Sequence, residues 1–92
     1  MHANTTTILK ALADETRLDI VRRLVKSPGA LLSCDLAKDC GSLGKLSQPA
    51  ISHHLSKLVD ADILHEQKIG TEKTYRLNVS LLSSIGINPA KL

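Results

Sequence analysis

There is no tryptophan and no phenylalanine in this chain, and Tyr75 is its single residue of the Phe/Trp/Tyr class. Proteins that read single strands or RNA stack bases on aromatic platforms. One tyrosine cannot supply such a platform, so a nucleic-acid partner is expected to be duplex DNA. No apolar run approaches the roughly 20 residues needed to cross a bilayer. The opening Met1-His2-Ala3-Asn4-Thr5 has neither the basic cluster nor the apolar stretch of a signal peptide. The expected compartment is therefore the cytoplasm, where Cys34 and Cys40 are expected to be reduced thiols and not a structural bridge. Catalytic signatures are missing too. The glycines at 41 and 44 lack the Lys-Ser/Thr of a phosphate loop, and no acid and base pair at helical spacing. An enzyme is not expected, and neither is a cofactor.

What is present is compact and aliphatic. Ninety-two residues allow one domain at most, 1–92. A chain this short buries only about two-thirds of its unfolded surface, so a partner copy would help its thin core. A hydrophobic share of 42% separates it from disordered compositions. The net charge of +3 permits a polyanionic partner without requiring one.

Punctuation falls at Ser27-Pro28-Gly29, Gly41-Ser42-Leu43-Gly44, Gly70-Thr71 and Gly86. A first helix is read from Thr5 to Leu12, with Ile8, Leu9 and Leu12 on one side. Asp14 caps a second, Glu15 to Lys26, whose Leu18, Val21, Leu24 and Val25 recur at three- and four-residue steps. Ala30-Leu31-Leu32 reads as a short strand. Ser33 caps a third helix, Cys34 to Cys40, and Ser47 caps a fourth, Gln48 to Asp60. Ile63–Lys68 and Lys73–Asn78 read as two strands joined across Ile69-Gly70-Thr71-Glu72. A last helix spans Ser80 to Ile85. The fold class is mainly α with a small β-hairpin, in the order α-α-β-α-α-β-β-α of a winged helix-turn-helix.

The fourth helix carries the clearest functional signal. At about 100° per residue, Ile51, Leu55, Leu58 and Val59 cluster on one side. The other side holds Gln48, Pro49, Ser52, His53, Ser56 and Lys57, with no carboxylate before Asp60. Small serines permit close approach to a major groove, while Gln and Lys reach base edges or phosphates. The plain alternative is a solvated face, but such faces usually mix Glu with Lys, and this one has no Glu. His54 lies on the flank of the core face. Two readings stay open for it: a half-buried structural histidine, or a contact to a backbone phosphate. In the hairpin, Lys68, Lys73 and Arg76 are candidate contacts to phosphate or the minor groove.

The run Ala11-Leu12-Ala13-Asp14-Glu15-Thr16-Arg17-Leu18-Asp19-Ile20 resembles the opening of the ArsR-type (arsenical-repressor-like) regulators. Leu46-Ser47-Gln48-Pro49-Ala50-Ile51-Ser52-His53-His54-Leu55-Ser56-Lys57-Leu58 is similar to that family's recognition helix, and Gly70 with Tyr75-Arg76-Leu77 to its wing. The resemblance covers about 9–78. It implies a dimeric repressor, with recognition helices in successive major grooves and dimer contacts through the terminal helices. Those contacts fall here on Ile8, Leu9, Leu12, Leu81, Leu82 and Ile85. The same six, if exposed, leave more apolar surface than so small a monomer should keep wet. A two-fold dimer demands an inverted-repeat operator with half-sites about one helical turn apart.

Metal- and thiol-sensing relatives set a second expectation. Members often carry Cys-x-Cys at the start of the third helix; here Leu32 takes the first place and Cys34 the second. The last helix has no Asp, Glu, His or Cys, so the family's other metal site is missing and no metal is expected. The stretch Lys38–Lys45 is about four residues longer than usual and brings Cys40. Where members usually have Gly after the recognition helix this chain has Asp62, which tolerates a left-handed backbone better than most residues. A helix start lowers a thiol pKa, which makes Cys34 a candidate switch with Cys40. Six helical residues separate them by about 9 Å, beyond the about 7 Å limit for a disulfide, so a bridge requires unwinding. The simpler alternative is a small buried residue and a loop thiol. A winged helix used only for protein contacts is the other competing class.

Overall fold

A computed structural model describes residues 4–27, 29–39 and 43–92. The helices are α1 (Thr5–Leu12), α2 (Glu15–Val25), α3 (Ser33–Asp39), α4 (Gln48–Asp60) and α5 (Val79–Ser84). The strands are β1 (Leu31–Leu32), β2 (Leu64–Ile69) and β3 (Glu72–Leu77), with single 3₁₀ turns at Leu43–Lys45 and Pro89–Lys91. This is a winged-helix arrangement in the expected order. The three strands form one antiparallel sheet, β1-β3-β2, in which Leu31 faces Tyr75 and Lys68 faces Lys73.

Capping accounts for most boundaries. Asn4, Asp14, Ser47 and Asn78 each accept a hydrogen bond from the backbone three residues on, satisfying a donor the helix leaves open. Ser33 is not a cap in this sense; it is the first residue of α3. The far end of α4 closes in a left-handed turn. Asp62 has φ 61°, its N–H donates to the Val59 carbonyl (2.9 Å), and the Ile63 N–H donates to the Leu58 carbonyl (3.0 Å). Those two bonds and the burial of both Leu58 and Ile63 make a Schellman ending. Asp62 thus adopts the conformation that glycine takes without strain.

Ile63 belongs to that turn and not to a strand. The hairpin consequently starts one residue later and ends one earlier than expected, and its loop shrinks to Gly70-Thr71. Gly70, with φ 64°, supplies the positive angle that a two-residue hairpin turn needs at its first position.

One core cluster joins all five helices to the sheet. Ile20, Val21, Leu36, Leu58, Ile63 and Leu82 have no measurable exposure. Each buried aliphatic of this size contributes about 1.5–3 kcal/mol, so aliphatic contacts, with Tyr75 added, carry the stability. Ile8, Leu12 and Leu82 are themselves 1%, 6% and 0% exposed. The expectation that all six terminal-helix residues stand on the surface is corrected for these three. They face inward because a 92-residue chain needs them for its own core. Leu9 is exposed at 51%, while Leu81 and Ile85 are half-buried at the cluster's edge.

Candidate nucleic-acid interface

The core side of α4 presses Ile51, Leu55 and Leu58 inward, which turns the opposite side out. Ser47, Gln48, Pro49, Ser52, His53, Ser56 and Lys57 are all exposed, as the helical periodicity requires. Val59 is only half-buried, packed at the margin of the cluster. From Gln48 to Lys57 the exposed face offers neutral donors and acceptors, one cation and no carboxylate; the exposed Asp60 lies beyond that stretch, at the end of the helix. A duplex with one phosphate charge per about 1.7 Å of axis meets no like charge along Gln48 to Lys57.

His54 is held from behind. Its Nδ1 lies 3.2 Å from an Arg17 guanidinium nitrogen and 3.9 Å from an Asp14 carboxylate oxygen, and its side chain is 18% exposed. Arg17 also donates through Nε to the Ala11 carbonyl. The guanidinium therefore ties the α1–α2 junction to the middle of α4. Of the two readings open for His54, this geometry favours the structural one. Its ring meets His53 edge-on, with centroids 6.0 Å apart, so the exposed histidine leans on the anchored one. Burial opposes the charge of Asp14, but the Arg17 amide and guanidinium, His54 and the Thr16 amide outweigh it and hold the carboxyl below its ordinary range. Arg17 and its partner His54 are 37 positions apart, so no local pattern in the sequence assigns the arginine this role.

The hairpin divides the three cations that the sequence grouped together. Cross-strand partners share a face of the sheet and neighbours along a strand alternate. Lys68 opposes Lys73 and shares a face with the Glu66–Tyr75 pair; Arg76 opposes His65 on the other face. The Lys68–Lys73 juxtaposition sets two like charges opposite each other, with a carboxylate of the same face, Glu66, 3.5 Å from Lys73. Pleating turns Arg76 to the other face of the sheet from these lysines.

Between α4 and the hairpin runs a groove of about 370 Å³. Gln48, Ser52 and Ser56 line one side, and Glu66, Lys73 and Tyr75 the other. Glu66 was missed in the sequence. It sits 3.5 Å from Lys73 Nζ and beside Tyr75 across the strands. Burial, together with the charge and hydrogen-bonding capacity of Glu66, pushes the Tyr75 pKa up to about 12. Only the cross-strand register brings these three groups together, which is why the sequence did not single out the carboxylate.

Cys34 is exposed and lines the same groove, which corrects its reading as a small buried residue. Cys40 lies outside the described residues, so the pairing of the two thiols has no geometry. Among the described residues no cluster of three or more His, Cys, Asp or Glu side chains could hold a metal ion. No described helix is long and apolar enough to cross a membrane.

Known proteins share this arrangement. Residues 12–67 match the family model described as a helix-turn-helix domain. The chain is similar to the arsenical resistance operon repressor of Staphylococcus aureus, 40% identical over 79 residues, which are 86% of this chain and 70% of that protein. Its fold is similar to the crystal structure of an ArsR family transcriptional regulator, with TM-score 0.75, 25% identity and coverage of 87% of this chain and 81% of the other. It is also similar to HlyU from Vibrio cholerae, with TM-score 0.69, 29% identity and coverage of 87% and 80%. These relatives are regulators and not enzymes. The motifs at 11–20 and 46–58, the winged-helix fold and the length of the match agree: the chain belongs to the ArsR-type family of DNA-binding helix-turn-helix transcriptional repressors.

Proposed function

We propose that this repressor works as a homodimer on an inverted-repeat operator, each copy laying α4 in a major groove. Gln48, Ser52, His53 and Ser56 read base edges. Ser47, Pro49 and Lys57 fit the helix against the backbone. Lys68 and Lys73 take phosphate or the minor groove at the wing. The carrying observation is the exposed face of α4, free of carboxylates from Gln48 to Lys57, held by Arg17 and His54 and flanked by Lys73 across the groove. The dimer contact is assigned to Leu9, Leu81 and Ile85, the terminal-helix residues that the core leaves free to different degrees.

The arsenical response in the names of relatives does not carry over by way of a Cys-x-Cys pair, because Leu32 holds the place of the first cysteine. The test selects binding sites from fragmented genomic DNA and then measures anisotropy against the selected duplex over a range of salt. An inverted repeat with half-sites about one helical turn apart is expected. Selection of a single half-site or a direct repeat, or sedimentation as a monomer at tens of micromolar, would overturn the dimeric reading. A protein-contact module would select no duplex at all.

A further inference from the structure

A cavity lies on the far side of the hairpin from the reading face. It is an open concavity of about 810 Å³ lined by the end of α2, the end of β3, α5 and the segment running to Ala90. That volume falls within the roughly 300–1,000 Å³ usual for small-molecule sites. Its wall is largely aliphatic, with Leu24, Leu77, Ile87 and Pro89 beside Val25 and Val79. Val25 and Val79, 36% and 50% exposed, are two of the four large apolar residues that stand exposed among the described residues. Placing two of them in one concavity is unusual for a surface that meets only water.

Arg76 stands on the same wall. It is exposed, and among the described residues its side chain makes no ion pair or hydrogen bond. Asn88 and Ser83 add neutral polar groups. Aliphatic walls, one uncommitted guanidinium and two neutral hydrogen-bonding side chains suit a ligand with an apolar tail and a single anionic head. A planar carboxylate matches the guanidinium fork.

The terminal-helix contact would leave this cavity open. On α5, Val79 and Ser83 lie about 40° apart, whereas Leu81 and, at the C-cap, Ile85 point about 140–180° away from their mean direction. The cavity and the assigned dimer face thus use opposite sides of one short helix.

We infer that this cavity is a binding site for a small amphiphilic carboxylate, its tail against Leu24, Leu77 and Ile87 and its head on Arg76. The site goes beyond the DNA-binding reading, and its test contains no DNA, so either idea can fail alone. Calorimetric titration of the whole chain uses decanoate, with decanol and decylamine as uncharged and cationic comparators. Decanoate is expected to saturate one site per chain and to bind about tenfold more tightly than either comparator, the size of one charge-assisted contact. Arg76→Gln, at an exposed position, should abolish that preference and leave decanol binding unchanged. Ser83→Trp should weaken both by filling the cavity, with circular dichroism confirming that each variant is folded.

Equal affinity for decanoate and decanol, or an Arg76→Gln variant that keeps the preference, would overturn the assignment. So would hydrogen exchange in which Val79, Ser83 and Ile87 become protected by self-association and not by decanoate. That outcome would make a second copy the occupant.

Discussion

The two elements that build the reading surface, α4 and the β2–β3 hairpin, carry their information differently. In α4, Ile51, Leu55 and Leu58 recur at helical spacing and are buried, so every other position on the helix is placed by rotation. In the hairpin, Leu-His-Glu-Gln-Lys-Ile has one buried residue followed by five exposed ones, with no alternation to say which face looks toward α4. A helix with a strong apolar stripe positions its polar residues by itself. A polar wing has its faces assigned by what it packs against, here through Leu64 and Tyr75.

The comparison breaks most visibly in stability. Leu58→Ala removes a fully buried side chain from the root of α4 and from its Schellman ending, and should cost about 2–5 kcal/mol. Ile69→Ala, at a wing position 61% exposed, should change stability by no more than about 0.5 kcal/mol. Urea denaturation of both variants checks the pair; comparable losses would mean that the wing tip is packed.

DNA binding sharpens the same contrast. Gln48→Ala or His53→Ala should weaken the selected site by about 1–3 kcal/mol and spare non-specific binding. Lys73→Ala should weaken both alike. It should also lower the slope of log affinity against log salt by about one per lost contact, hence up to about two for a dimer. Arg76→Ala, on the opposite face of the hairpin, should leave that slope unchanged. If Lys73→Ala altered sequence preference and His53→Ala did not, the wing would be the reading head.

Asn78 joins the two elements. Its side-chain amide donates to the Asp62 carbonyl (2.9 Å) while its Oδ1 caps α5 at the Leu81 N–H (3.3 Å). Asn78→Ala should cost about 1–2 kcal/mol, seen as a lower urea midpoint.

A smaller effect follows from Tyr75. Its ionisation moves from 10 to about 12 on folding, so the folded state favours the protonated phenol. That contribution is fully present below pH 10 and is lost as pH rises from 10 through 12. By pH 11 the loss should reach about 1 kcal/mol. Stability measured from pH 9 to pH 11 should fall less steeply in Tyr75→Phe, which has nothing to titrate.

Smallest of all should be the response to metals. Zinc, cadmium or arsenite at stoichiometric amounts should shift DNA affinity by no more than a few-fold, because Leu32 and Cys34 do not form a thiol pair. A tenfold release in anisotropy would restore Cys34 and Cys40 as a sensing site. An oxidant effect removed by Cys34→Ser would assign them to redox switching.

Much of this protein is local, and what is local was legible in the chain. Asp14 and Ser47 cap their helices, the polar face of α4 is where its periodicity puts it, and Asp62 takes the left-handed turn. Caps, helical faces and turn residues involve atoms within a few positions of one another, so sequence alone carries them. Tertiary structure decided the rest. It turned Arg76 to the opposite side of the sheet from Lys73, paired Arg17 with His54, placed Glu66 beside Tyr75 and drew Ile8, Leu12 and Leu82 into the core. Each of these joins residues far apart in the chain or depends on which face of a polar strand is covered. Such choices are made only when the helices and the sheet close around one aliphatic core.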